Sequence, residues 1–162
     1  MHSFLVALVV VTSLPMSVPP GSDEKMPDHT VLVSGEDREM NEAIAKAQAS
    51  LDGFLRLKAN PPKGAAGFKL KLKVTDGNGS EHLWITPFHA TAKGFAGTVS
   101  NAPEYVESVT EGEEVEFRRE DISDWGYELN GKQKGSYTVC VLFKHMDKEE
   151  VDVYRRDYGF EC

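Results

Sequence analysis

The sequence contains none of the short motifs that mark common nucleotide-binding and hydrolase sites. No Gly-x-Gly-x-x-Gly or Gly-x-x-x-x-Gly-Lys-Ser/Thr segment is present to hold a phosphate group. No Gly-x-Ser-x-Gly turn is present to expose a nucleophilic serine. These absences argue against the commonest phosphate-binding and serine-hydrolase sites, and we expect no catalytic residue of these types and no cofactor.

Basic residues are too few to balance the acidic ones. The chain has 18 Lys and Arg against 26 Asp and Glu, which gives a formal net charge of −8. Such a field repels phosphate backbones and anionic lipid headgroups. It argues against nucleic acid or a membrane surface as the main partner, so we expect the partner to be another protein.

Cysteine is also scarce, with only Cys140 and Cys162 present. No cysteine lies near residue 20, which disfavours a lipid-anchored lipoprotein. In an oxidising compartment the two cysteines could pair. Alternatively, Cys140 is an inert thiol buried in a strand and Cys162 lies at a frayed terminus. The sequence leaves both possibilities open.

No charged residue precedes Asp23, and the chain from Phe4 to Val11 is apolar throughout. The length of this segment suits a secretory signal better than a membrane span. We therefore predict a signal peptide at residues 1–21, a polar linker at 22–37 and a periplasmic or secreted protein. Because the basic flank and the cleavage site are poor, an uncleaved membrane anchor and a buried N-terminal element remain alternatives.

An amphipathic helix is the clearest secondary-structure signal. Apolar residues recur at spacings of three and four between Met40 and Leu55. Ser34 or Asp37 can cap the start of this helix, and the Asn60-Pro61-Pro62 segment stops it.

The period then changes to two in residues 68–74, which predicts a half-buried strand. The Asp76-Gly77-Asn78-Gly79 segment predicts a hairpin turn into a partner strand at residues 81–86. Pro87 is expected to end that strand or to introduce a bulge.

Later segments are assigned more coarsely. The expectations are a short strand within 94–103, a strand at 115–119, an irregular segment at 121–127, a turn at 130–131, a fully buried central strand at 137–143, and a helix or edge strand in the tail from 147.

Together these elements predict an α+β fold. A helix packs on a twisted, mainly antiparallel sheet of about five strands, which could curl towards a barrel. One such domain is predicted for residues 38–145, with a C-terminal extension at 146–162.

Two segments carry a family resemblance. Glu81-His82-Leu83-Trp84 and Ile122-Ser123-Asp124-Trp125, in this order and at this separation, resemble the YegJ-like bacterial domain of unknown function, number 2314 of that series. The resemblance covers residues 38–145. Since this family has no established activity, it implies no role for any residue.

Glu81, His82, Trp84, Asp124 and Trp125 form the predicted binding set. Carboxylates and imidazoles together can bind a metal or transfer protons. On an ideal strand, however, Glu81 points away from the face that carries His82 and Trp84, so we predict no metal ligand. The competing interpretation is that both tryptophans are core residues whose indole N–H groups bond to neighbouring polar groups.

Three lysines alternate along the first strand, at Lys69, Lys71 and Lys73. The simplest interpretation is a solvated face with edge-protecting lysines, and the alternative is a contact for an acidic protein surface.

These observations predict an exported, non-enzymatic protein-binding module, such as an inhibitor or an immunity-like factor. The alternative is a small hydrolase or metal-dependent enzyme that uses Glu81, His82 and Asp124.

Overall fold

The computed structural model of the protein describes residues 37–162. The predicted signal peptide and nearly all of the predicted linker, including Ser34, lie outside the described residues. The elements in chain order are α1 (Arg38–Ala59), β1 (Ala65–Asp76), β2 (Gly79–Thr91), β3 (Gly94–Val99), β4 (Glu114–Phe117), β5 (Ile122–Leu129), β6 (Lys132–Gly135), α2 (Tyr137–Leu142) and α3 (Lys148–Tyr158).

Helix α1 confirms the amphipathic helix that the apolar spacing predicts. Asp37 is its N-cap, and the carboxylate accepts a hydrogen bond of 2.8 Å from the backbone N–H of Met40. The helix ends at Asn60, directly before two prolines that cannot continue it. Its buried residues follow the predicted spacing and are Ala43, Ala47, Leu51 and Phe54.

The six strands form one sheet in the order β4-β3-β2-β1-β5-β6, and every neighbouring pair is antiparallel. The α+β class and the antiparallel sheet are therefore confirmed. The barrel alternative is wrong, because β4 and β6 lie at opposite edges of an open sheet. The β2–β3 pairing shifts register between Ile85 and Phe88, which confirms the bulge expected at Pro87.

Two local predictions are wrong. The segment expected to be irregular contains β5, which pairs with β1 on one side and β6 on the other. The apolar run expected as a central strand is instead the short helix α2. A short apolar run has no decisive period, so the sequence alone could not separate a strand from a buried helical turn.

The sheet carries a different layer on each face. Phe54 of α1 packs with Leu70, Leu83 and Trp125 in the main core. A second, smaller cluster unites α2, α3 and the tail through Val139, Phe143, Val151, Tyr154 and Phe160, and Trp84 packs against it. Residues 146–162, predicted as an extension, thus share an apolar cluster with the domain.

Cys140 of α2 and Cys162 form a disulfide, with 5.4 Å between their Cα atoms. This bond joins α2 to the last residue of the chain. Among residues 37–162, no helix is both long enough and apolar enough to cross a bilayer.

Candidate functional site

Asp124 is fully buried on β5, and its carboxylate fixes the start of α2. It accepts four hydrogen bonds, of 2.8 Å from Trp125 N, 3.2 Å from Tyr137 N, 2.8 Å from Thr138 N and 2.7 Å from Thr138 Oγ1. These donors include two N–H groups of the first helical turn, which have no partner within the helix. Asp124 therefore serves as a remote cap that joins β5 to α2.

Lys71 lies opposite Asp124 in the β1–β5 register and is also buried. Its ammonium donates a 3.0 Å hydrogen bond to Thr138 Oγ1, and that hydroxyl donates to Asp124. Burial raises the pKa of Asp124 and lowers the pKa of Lys71, whereas the attraction between the two groups opposes both shifts. Thr138 thus links a buried ammonium to a buried carboxylate.

Trp84 lies opposite Lys71 in the β1–β2 register. The Nζ atoms of Lys69 and Lys71 are 4.6 Å and 4.8 Å from the centre of the Trp84 ring. This distance is typical of cation–π contacts. The indole ring is therefore already in contact with two side chains of its own sheet and with the C-terminal cluster, and it is only half-exposed.

His82 bonds to Ser123, with 2.7 Å between Nδ1 and Oγ. Ser123 Oγ donates to the Lys71 carbonyl, so Nδ1 carries the hydrogen and donates to Ser123. Burial, together with the positive charges of Lys71 and Lys73, lowers the pKa of His82 to about 4. The imidazole is neutral at pH 7.

This shift makes stability depend on pH. An unfolded histidine gains its proton near pH 6.5, whereas folded His82 gains its proton only near pH 4. The contribution of neutral His82 to the free energy of unfolding is complete above pH 6.5 and is lost as the pH falls towards 4. We expect a loss of roughly 1 kcal/mol per pH unit in that interval, measured by urea unfolding. The variant His82→Gln should flatten this slope, and an unchanged slope would contradict the assignment.

Glu81 is on the opposite side of β2 and has a different role. Its buried carboxylate accepts hydrogen bonds of 3.0 Å from Glu104 N, 2.9 Å from Tyr105 N and 3.3 Å from Val106 N. These N–H groups belong to the long connection at residues 100–113, which we call the β3–β4 loop. Glu81 therefore holds the backbone of that loop in one shape.

Asp76 provides a second anchor at the end of β1. Its carboxylate accepts hydrogen bonds of 2.7 Å from Glu107 N and 3.0 Å from Ser108 N. A further bond from Asn78 N is the main cause that lowers the pKa of Asp76, and the two loop N–H groups add to it. Five successive backbone positions of the loop thus bond to two carboxylates of the β1–β2 hairpin.

The β3–β4 loop displays an aromatic ring. Within residues 37–162, Tyr105 is the only large hydrophobic side chain that is exposed, at 40%. Its neighbour Val106 is buried in the main core, and Glu104 and Glu107 are exposed on either side. Backbone N–H groups and the Val106 side chain therefore hold the loop against the domain, while the Tyr105 ring is exposed.

The five residues predicted as one binding set do not converge. Asp124, His82 and Trp84 lie on the face that carries α2 and the C-terminal cluster, whereas Glu81 holds the β3–β4 loop on the other side. Trp125 is a core residue that stacks on Phe54 at 4.8 Å and donates its indole N–H to the Ala47 carbonyl at 3.0 Å. No group of three His, Cys, Asp or Glu side chains in residues 37–162 is arranged to hold a metal ion.

Sequence reasoning missed the partners of these residues. Thr138 and Tyr105 belong to neither of the two segments that carry the family resemblance, and Ser123 belongs to one whose family has no established activity. The hydrogen-bond partners of all three residues lie far away along the chain. The lysine stripe was visible, but its interpretation as a solvated, edge-protecting face is wrong for Lys71. That lysine is buried, and β1 is an interior strand of the sheet.

Comparison with known proteins identifies the family. A model described as "Uncharacterized protein conserved in bacteria (DUF2314)" matches residues 37–162. The uncharacterized protein YegJ of Escherichia coli is 35% identical over 127 residues, which cover 78% of this chain and 82% of that protein. A putative ankyrin repeat protein of Neisseria meningitidis is 30% identical over 86 residues, covering 53% of this chain and 34% of that protein.

No solved structure matches the chain. The family match includes the C-terminal segment with α3 and Cys162, in addition to the two motifs quoted above. Since the match covers all the residues that the structure describes, the chain belongs to the DUF2314 family of uncharacterized proteins conserved in bacteria.

Proposed function

We propose that the protein is a non-enzymatic, exported binding module that recognises another protein through the β3–β4 loop. The observation that carries this proposal is the fixed backbone of the loop. The carboxylates of Glu81 and Asp76 accept hydrogen bonds from its N–H groups, and the side chain of Tyr105 is exposed. A loop that is already ordered loses little conformational entropy on binding, which improves affinity.

The chemistry of the loop suggests its partner. Tyrosine is enriched among residues that dominate the energy of protein interfaces, because it buries a large ring and keeps a polar end. Glu104 and Glu107 are exposed beside Tyr105 and add negative charge. The complementary surface is an apolar pocket with a basic rim, to which the negative loop would be steered electrostatically.

The geometry gives the enzyme alternative no support. A hydrolase would need Glu81, His82 and Asp124 to face a common cleft. Glu81 instead holds backbone N–H groups of the loop, and Asp124 is enclosed by four donors. His82 is neutral and bonded to Ser123.

The test is affinity capture from an envelope extract with purified wild-type protein and loop variants. Replacing Tyr105 with alanine should weaken the captured complex by about 2 kcal/mol or more, which is roughly thirtyfold in Kd. Tyr105→Phe keeps the ring and should retain most of the affinity. Titration calorimetry with the recovered partner measures both values.

Two further variants separate shape from charge. Glu81→Gln keeps the size of the side chain but removes the charge that holds the loop. Residue 81 is buried behind the loop, so this variant should weaken binding through the shape of the loop and not through a lost contact with the partner. Glu104→Gln with Glu107→Gln should slow association and reduce its salt dependence. Glu128→Gln, an exposed substitution on β5, is the matched control. A partner that binds wild type and Tyr105→Ala equally would overturn the role of the loop.

A further inference from the structure

The two edges of the sheet differ in what covers them. The tail lies along the outer side of β6, where Gln133 N donates a 3.0 Å hydrogen bond to the Gly159 carbonyl. Strand β4 is the other edge, and within residues 37–162 no strand pairs with its outer side. An uncovered edge strand presents N–H and C=O groups that can pair with another chain.

The hydrogen bonds to β3 determine which main-chain groups of β4 face outward. Val99 N donates a 2.9 Å hydrogen bond to the Glu113 carbonyl, so the main chain at residue 113 faces β3. This direction alternates from residue to residue along an antiparallel pair. The N–H and C=O groups of Glu114 and Glu116 therefore face away from the sheet, where a further strand could bond to them.

The side chains of β4 alternate as well. Phe117 is buried in the main core, and Val115 packs against that core. Glu114 and Glu116 point to the opposite face and are exposed, and neither carboxylate has a hydrogen bond or an ion pair within residues 37–162. The edge thus offers two negative positions with an apolar position between them.

These charges decide which chain suits the edge. If two copies of the protein paired through β4, their carboxylates would face each other across the new ladder, and like charges directly opposite each other destabilise a sheet. The arginines that follow β4 do not offset this charge. Arg118 pairs with Glu120 at 2.9 Å, and Arg119 pairs with Asp52 at 2.8 Å. The complementary occupant is therefore a basic chain.

We propose that β4 binds an extended segment of another protein in which basic residues alternate with apolar ones. The segment adds a strand to the sheet and exchanges main-chain hydrogen bonds with Glu114 and Glu116. Its basic side chains lie opposite the two carboxylates, and the apolar side chain between them lies beside Val115. This site is separate from Tyr105 and does not rest on the binding role proposed for the β3–β4 loop.

The probe is the synthetic peptide Thr-Lys-Val-Lys-Val-Lys-Thr, which is titrated at low salt into the isotope-labelled full chain. Amide hydrogen exchange is followed by NMR. Without peptide, the N–H groups of Glu114 and Glu116 should exchange faster than those of Val115 and Phe117, which face β3. Peptide at about ten times its Kd should slow exchange at Glu114 and Glu116 about tenfold.

Three further peptides separate strand pairing from attraction between opposite charges. A peptide with glutamate in place of lysine should bind about tenfold more weakly, or worse, because it meets like charges. Two lysine peptides carry N-methyl groups, each on one alternate set of amides. The set that faces β4 loses its donors and should bind about tenfold more weakly, whereas the other set should bind as the unmodified peptide does.

The protein variant Glu114→Lys with Glu116→Lys should reverse the preference from the lysine peptide to the glutamate peptide. Glu42→Lys with Glu128→Lys makes the same change of net charge at exposed positions on α1 and β5, and it should keep the wild-type preference. The proposal is overturned if the lysine peptide leaves exchange at Glu114 and Glu116 unchanged, or if both methylated peptides bind equally. It is also overturned if exchange there slows with rising protein concentration alone, which would indicate pairing of two copies.

Discussion

Replacing Asp124 with alanine is expected to destabilise the protein by about 3–5 kcal/mol, because the substitution leaves a buried ammonium without its counter-charge. The ammonium of Lys71 would keep the hydroxyl of Thr138 and the face of Trp84, and neither of these carries a negative charge. The N–H groups of Tyr137 and Thr138 would also lose their acceptor at the start of α2. Urea unfolding followed by circular dichroism measures the change in the free energy of unfolding.

Two controls give this result its meaning. Asp124→Asn keeps the side-chain size and one acceptor oxygen but removes the charge, so its loss should be smaller than that of alanine but still large. Asp52→Ala breaks an exposed pair with Arg119 and should cost less than about 1 kcal/mol. If Asp124→Ala also cost less than about 1 kcal/mol, Asp124 would not be the element that couples β5 to α2.

Reducing the Cys140–Cys162 disulfide is expected to lower the free energy of unfolding by about 3 kcal/mol, from the entropy of the loop that it closes in the unfolded chain. The bond spans a sequence separation of 22 residues. The expected loss should appear as a lower urea midpoint for protein treated with a reductant. The double variant Cys140→Ala with Cys162→Ala should unfold at the same midpoint with and without reductant.

The mass of the untreated protein provides the internal check. Reduction should add about two hydrogen masses per molecule if the bond is present. Identical unfolding curves for the oxidised and reduced protein would show that the C-terminal cluster holds the tail without the bond. Formation of the disulfide would also agree with the proposed export, because exported proteins reach an oxidising compartment.

Local signals predicted the elements whose causes are local. The cap at Asp37, the apolar spacing of α1 and the prolines after Asn60 are neighbours in sequence, so one pass along the chain locates the helix. The turn at Asp76–Gly79 likewise fixes the β1–β2 hairpin and its register. Sequence reasoning failed where the cause is distant, because α2 starts at a carboxylate from β5, 13 and 14 residues earlier.

The same distinction separates the correct and incorrect parts of the candidate site. The alternation in β2 correctly placed His82 and Trp84 on one face and Glu81 on the other. What Glu81 bonds to could not be predicted, because its N–H partners lie 23 to 25 residues further along the chain. The sequence also gave no sign that α2 would bring Thr138 to Lys71 and Asp124 and enclose them.

The two carboxylates that hold the β3–β4 loop have a consequence for the proposed binding surface. Glu81 and Asp76 hold the loop through its main-chain N–H groups at residues 104–108, and almost any residue except proline supplies such a group. The side chains at the exposed positions could therefore be exchanged without altering the path of the loop. Such a loop can acquire a new binding preference by single substitutions, with little cost to folding.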